Sequence, residues 1–365
     1  MKPDFFRILR SIRRVLGQLW QQGKRLAGFS DDWPVTIAAY RGYGRPDRIF
    51  LKGRVLKDRR IIARNINSRW RALIQTYKRF NSQEISGAEV SVQLGANALA
   101  ALTDAEGYFQ IEASLPAPLP PDCGPWQRAE VQVRSIPGRV LDFQAPAHLL
   151  IPPAEARIGI ISDIDDTVLQ TDVTSLLKLK MIYHTIMKGA ARRQSFSAAA
   201  AFYQALHCGL DGQPLNPVFY VSNGPWNLYD LLEEFLLLND LPAGPILLRD
   251  FGIPYQQRPP GYKGHKYSSI AHIFETFPGL RFVLIGDSGE KDPYIYRSIA
   301  EAFPGRVAAI YIRDVRSRRR ARRLARFIEA TGADIQVVQN YAQAAQDAAR
   351  RGLLELGRFD RLRKP

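Results

Sequence analysis

The stretch Ile158-Gly159-Ile160-Ile161-Ser162-Asp163-Ile164-Asp165-Asp166-Thr167-Val168 decides the fold. An apolar, β-branched run from Ile158 to Ile161 breaks into three carboxylates within four residues, followed by a threonine. A run of this kind fits a central strand of a parallel sheet, and such sheets bind ligands beyond the carboxyl ends of their strands. Asp163 and Asp165 are therefore expected at the mouth of a site. Acidic residues also end strands simply as turn formers or helix caps, and that reading stands beside the first. Three clustered carboxylates with no basic residue among them repel one another, and a divalent cation relieves that repulsion.

Downstream of Arg157, strand-like runs alternate with helical segments. A long helical stretch covers Val173 to about Leu206. Apolar runs follow at Val218 to Val221, Ile246 to Leu248, Phe282 to Ile285 and Val307 to Ile312, and Ile335 to Val338 reads as an edge strand. Helical spacing over Asn227 to Leu238 and Tyr267 to Phe277 completes the pattern of a doubly wound α/β sheet. Several strand ends carry residues suited to phosphate chemistry. Ser222-Asn223-Gly224-Pro225 offers a hydroxyl and backbone N–H groups at the opening of a helix, an anion seat. Asp287 follows a glycine at another strand end, and Asp292-Pro293 reads either as a site residue or as an N-cap with proline at the first helical position. Tyr262-Lys263-Gly264-His265-Lys266 places a cation at a helix start, against the helix dipole, which points to a task other than stability.

D-x-D-x-T after the first strand, Ser after the second, Lys before a helix and G-D-x-x-x-x-D after a later strand, in that order, resemble the four motifs of the haloacid-dehalogenase-like phosphohydrolases. More closely, Ser162 to Val168, Val221 to Pro225 and Gly286 to Tyr296 resemble the actin-patch phosphatidate phosphatase family, over about 158–315. The resemblance implies a Mg²⁺-dependent phosphomonoester hydrolase that turns phosphatidate into diacylglycerol and phosphate. Asp163 would be the nucleophile and Asp165 the general acid and base. Ser222, Asn223, Gly224 and Lys266 would hold phosphate, with Lys263 the rival for the lysine role. Mg²⁺ would be held by Asp163, Asp165 through its carbonyl, Asp287, and Asp292 directly or through water. Asp166 and Thr167 would order the loop. Little room remains for a large cap, so the site is expected to be open, with Phe251 to Lys263 either a rim or ordinary turns. Nucleotides, nucleic-acid ends and phosphoproteins remain rival substrates, and a lipid- or partner-binding module on a phosphatase scaffold is the rival outside enzymes.

The rest of the 365 residues sets the context. Residues 1–30 hold a basic amphipathic helix over Phe5 to about Leu26, which either packs on the following domain or lies in an anionic bilayer surface. Residues 31–150 read as a small antiparallel β-sandwich, with Thr103 to Phe109 as a hairpin connection in which Gly107 takes positive φ, and a helical insertion over Ser68 to Asn81. Residues 151–345 form the phosphatase domain and 346–365 a basic C-terminal tail. A net charge of +16 calls for anionic partners, an anionic phospholipid surface before nucleic acid. Arginines crowd the segment from Arg313 to Arg326. Cys123 and Cys208, far apart, fit a reducing compartment, and no apolar run is long enough to cross a membrane. Together these features predict a cytoplasmic, peripherally membrane-associated protein.

Overall fold

The computed structural model describes residues 34–57, 83–120, 124–164, 190–249, 264–314 and 318–363. The expected helices over 5–26, 68–81 and the first half of 173–206, with the loop 251–263, lie outside the described residues, and the second half of 173–206 is helical as expected. Among the described residues the strands form two sheets. The first contains β1 (Val35–Ala39), β2 (Gly42–Arg45), β3 (Arg48–Lys57), β4 (Gln83–Glu84), β5 (Glu89–Leu94), β6 (Asn97–Leu102), β7 (Tyr108–Ser114), β8 (Trp126–Ile136) and β9 (Arg139–Leu150). Its strands alternate as half-buried strands should: in β5, Val90, Val92 and Leu94 are buried while Glu89 and Gln93 face solvent.

The expected two-sheet sandwich is here one hydrogen-bonded sheet, running β1-β3-β2-β9-β8-β5-β6 with β4 and β7 attached to β3. Long β3 makes this possible, since its first half pairs β2 and its second half β1, while β7 runs along its other edge. The sheet curls so that Leu51, Phe109 and Ile111 share one core with Val92, Val131 and Leu149. Most pairs are antiparallel, but β2 and β9 run parallel. The 103–109 segment forms the expected turn, with Gly107 at φ +77°, where a Cβ would press on the Val55 carbonyl. It is not a hairpin, because β6 pairs β5 and β7 pairs β3.

The second sheet is wholly parallel. β10 (Ile158–Asp163), β11 (Val218–Pro225), β12 (Ile246–Arg249), β13 (Arg281–Asp287), β14 (Val307–Arg313) and β15 (Gln336–Val338) lie in the order β12-β11-β10-β13-β14-β15. Ile158, Ile160 and Ile161 are buried, as a strand covered on both faces requires. The chain order reverses between β10 and β13, and a doubly wound sheet opens a crevice at that point.

Helices cover both faces. One face carries α1 (Ala190–Cys208), a 3₁₀ turn (Trp226–Leu228) and α2 (Tyr229–Leu238); the other carries α3 (His265–Thr276), α4 (Asp292–Ala302) and α5 (Arg318–Thr331). Beyond β15 come α6 (Tyr341–Arg350) and α7 (Leu356–Arg363). The expected tail boundary at 345 falls inside α6. Leu353, Leu354 and Phe359 are buried in the same core as Phe202 and Leu206 of α1, so 346–363 is part of the α/β domain. Phe359→Ala is expected to cost about 3–5 kcal/mol, read as a lower midpoint in denaturant unfolding. An unchanged midpoint would return this segment to the status of a tail.

Candidate active site

The register of the parallel sheet assembles the site. Asp163 at the end of β10 lies beside Val221 of β11, which puts Ser222 next to it. On the other side Ser162 is level with Ile285, so Gly286 and Asp287 extend past it. Three strand ends thus meet at the reversal point.

Lys266, on the second residue of α3, fills the gap between them and is 2% exposed. Its Nζ lies 2.8 Å from Asp163 Oδ2, 2.8 Å from Glu290 Oε2 and 2.9 Å from Asp292 Oδ1. An ammonium has three N–H donors, and here it meets three carboxylates. No side chain caps the start of α3, whose N-cap is Gly264. The lysine's conflict with the helix dipole is outweighed by its anionic neighbours. Lys263 lies outside the described residues.

The loop after β13 is shaped to deliver two of those anions. Asp287 Oδ1 accepts from the backbone N–H of Gly289 at 2.6 Å and of Glu290 at 3.1 Å, folding the chain back so that Glu290 returns to Lys266. Asp292 is fully buried, and its Oδ2 accepts from the Asp287 N–H at 3.3 Å. Gly286 is obligatory, because a Cβ there would collide with the Asp292 carboxylate. The capping alternative for Asp292 is displaced: Lys291 is the N-cap of α4, Asp292 is its first residue, and its side chain reaches back into the site.

On the other flank Ser222, fully buried, accepts at Oγ from the Gly224 N–H at 2.9 Å, and Asn223 Nδ2 donates to Glu290 Oε2 at 3.3 Å. Behind the nucleophile candidate, Ser162 Oγ donates to the Asp163 carbonyl at 2.9 Å and meets the Tyr203 hydroxyl at 2.6 Å. Burial pushes the Tyr203 phenol well above its ordinary range. Burial, reinforced by the charges of Asp292 and Asp163, does the same for Tyr296, whose hydroxyl donates to the Ile285 carbonyl at 2.8 Å. Both phenols are neutral hydrogen-bonding props.

The β domain grips the site from outside. The Tyr40 ring stacks on Trp226 at 4.3 Å, and Arg54 Nη1 donates to Asn227 Oδ1 at 3.0 Å, both just past the Ser222 loop. The Tyr43 hydroxyl meets His272 Nδ1 at 2.6 Å on the helix that carries Lys266. Glu112 then links His272 Nε2 at 3.2 Å to Arg48 at 2.6 Å. Partial burial raises the Glu112 carboxyl, but hydrogen bonds and charge from His272 and Arg48 outweigh it, and its pKa falls below the usual range.

Of the residues singled out in the sequence, Asp163, Ser222, Asn223, Gly224, Lys266, Asp287 and Asp292 converge here. Asp165, with Asp166 and Thr167, lies outside the described residues. Glu290 is the addition: it stands in the quoted motif, but only the turn made by Asp287 shows that it points inward. The carboxylates whose oxygens lie within 4.8 Å of one another are Asp163, Glu290 and Asp292, whereas Asp287 uses one oxygen on its own loop. Three carboxylates against one ammonium leave an excess of two negative charges. An oxygen-rich, doubly negative cluster is the donor set of a hard divalent cation.

Residues 158–314 match the family model described as Phosphatidate phosphatase APP1, catalytic domain. Through its α/β domain the chain is similar to the APP1-like phosphatidate phosphatases. It is 34% identical over 169 residues to Phosphatidate phosphatase APP1 of Saccharomyces cerevisiae, covering 46% of this chain and 27% of that protein. An uncharacterized protein of Schizosaccharomyces pombe is 30% identical over 219 residues, 59% of this chain and 34% of its own. The chain thus spans about a quarter to a third of the length of these relatives. A solved Bifidobacterium dentium beta-glucuronidase complexed with coumarin-3-O-glucuronide aligns over 83% of this chain and 52% of its own at 9% identity, with a TM-score of 0.24, too low to indicate a shared fold.

Mg²⁺ is expected to raise the thermal midpoint of the wild-type protein, since a ligand of the native state stabilises by about 2.7 kcal/mol at a hundredfold excess over its Kd. Asp163→Asn and Glu290→Gln should show a smaller rise. An unshifted wild-type midpoint would remove the cation from this cluster.

Proposed function

We propose that this chain is a Mg²⁺-dependent phosphomonoester hydrolase of the haloacid-dehalogenase-like fold, with phosphatidate as substrate and an aspartyl-phosphate as intermediate. The observation that carries the reading is the buried Lys266 ammonium in contact with Asp163, Glu290 and Asp292 at the reversal point of the parallel sheet.

The Asp163 carboxylate attacks phosphorus, and the ester P–O bond breaks as the new O–P bond forms. Asp165 gives its proton to the departing alkoxide, releasing the alcohol, and then takes a proton from the water that cleaves the aspartyl-phosphate. Phosphate leaves and Asp163 is restored. Lys266 stands where it can pass N–H donors from carboxylates to phosphoryl oxygens, while Ser222 and the Asn223-Gly224 backbone cradle the remaining oxygens. Asp163 and Asp292, with Glu290 or Asp287, are the residues to hold the cation, which when bound neutralises phosphate charge. Ser162 and Tyr203 hold the Asp163 backbone from behind. A peripheral association with membrane accords with a lipid substrate, and no helix among the described residues is long and apolar enough to cross a bilayer.

The test is inorganic phosphate release from phosphatidate in detergent micelles, with Mg²⁺ or chelator, beside a panel of soluble phosphomonoesters. Release from the lipid is expected to require metal and to vanish in Asp163→Asn. Release from soluble esters alone would overturn the substrate; release that survives in Asp163→Asn would take away its role as nucleophile; no release from any ester would leave a binding module.

A further inference from the structure

α5 is built differently from its neighbours. Its apolar stripe is spent inside the fold: Leu324 is buried, and Phe327 and Ile328 pack against the core shared by α3 and α4. Arg319, Arg320, Arg322, Arg323 and Arg326 are exposed. None of the five makes an ion pair or hydrogen bond with a described residue. They sit three or four residues apart, so like charges repel along the helix. The acidic residue of α5 is Glu329, at the opposite end. Such a helix gains little from its own arginines and much from an external anion.

Its position gives that anion a place. α5 runs parallel to α4: the Phe327 ring contacts Tyr294 at 4.6 Å, and Arg297 Nη1 donates to the Thr331 carbonyl at 2.8 Å. Phe327 is nine residues into α5, whereas Tyr294 is two into α4, whose first residue is Asp292 of the acidic cluster. The first seven residues or so of α5, roughly 10 Å at the rise of a helix, therefore stand beyond the level of the site, on the side where the strands end.

We infer that the arginines of α5 form a docking post that seats the protein on an anionic phospholipid bilayer with the acidic site turned toward it. The inference rests on the lipid reading of that site for its choice of polyanion. Because the apolar stripe is already buried, the contact is electrostatic and shallow, so it weakens as salt screens it.

The experiment is co-sedimentation of the full chain with vesicles of phosphatidylcholine and phosphatidylserine. Phosphatidylserine is anionic but is not a phosphomonoester, so binding is read apart from the active site. Each arginine near such a surface contributes about fivefold in partition. The quadruple variant Arg319→Gln, Arg322→Gln, Arg323→Gln, Arg326→Gln is expected to lose at least about tenfold in partition. A control with the same charge change, Arg128→Gln, Arg134→Gln, Arg139→Gln, Arg281→Gln, should bind as wild type does, and wild-type binding should fall with added salt. Far-UV circular dichroism and the thermal midpoint should be close to wild type in both variants, which shows that α5 is still folded on its sheet. Unchanged vesicle binding in the quadruple variant overturns the inference, and so does arginine-dependent binding of duplex nucleic acid without vesicle binding. Docking without phosphate release would fault only the catalytic reading; release from phosphatidate micelles without docking would fault only this one.

Discussion

One ammonium holds the acidic site together. At an effective dielectric of about 20, each Lys266–carboxylate contact near 2.8 Å is worth about 6 kcal/mol before desolvation, against about 3.5 kcal/mol of repulsion for each carboxylate pair at 4.8 Å. The lysine therefore decides whether three acids can share a buried pocket. The requirement propagates outward. Lys266 must sit at the start of α3, Asp292 must reach back from α4, and Gly286 must stay without a side chain so that it can.

The same constraint explains why the β domain shares a core with the catalytic unit. Ala38, Tyr40 and Tyr108 are buried together with Ile160 and Trp226, and Tyr43 and Leu150 with Ile270 and Phe274. Its polar contacts fall on the 3₁₀ turn and α2 that follow the Ser222 loop and on the helix that carries Lys266. A shift of either by an ångström would change which oxygens an ammonium or a phosphate could reach, and misplacement on that scale is costly in catalysis. The β domain is thus part of the frame of the site.

Much of this was legible in the residues. The strands of the parallel sheet announce themselves as β-branched runs, and the convergence of Asp163, Ser222 and Asp287 follows from strand ends in one sheet, with Lys266 joining them from the start of α3. Glu290 was hidden because its direction depends on a turn made by Asp287, a contact that no periodicity encodes. Asp292 was ambiguous because Asp-Pro at a helix start has the same spelling as a cap. The single curled sheet was illegible because it depends on β3 serving different partners along its two halves, which is a matter of length and curvature. The tail was misplaced because Arg350, Arg351, Arg358 and Arg361 mask a sparse apolar set, Leu353, Leu354 and Phe359, that suffices to pack α7 on α1.

The signs of charge form a gradient with a consequence for the approach of substrate. Asp163, Glu290 and Asp292 exceed Lys266 by two negative charges, and a phosphomonoester arriving from solution would meet repulsion before it met Lys266. A bound divalent cation cancels that excess at short range, but exposed charges beyond the Debye length of about 8 Å at physiological salt feel little of it. The arginines of α5 stand on the approach side, ahead of the acids, and present the first field that an anionic surface encounters. In the reading proposed above, attraction at the rim and neutralisation at the centre would act in sequence. Under the docking inferred for α5, capture would be left to that helix and the acids left to the chemistry proposed for them.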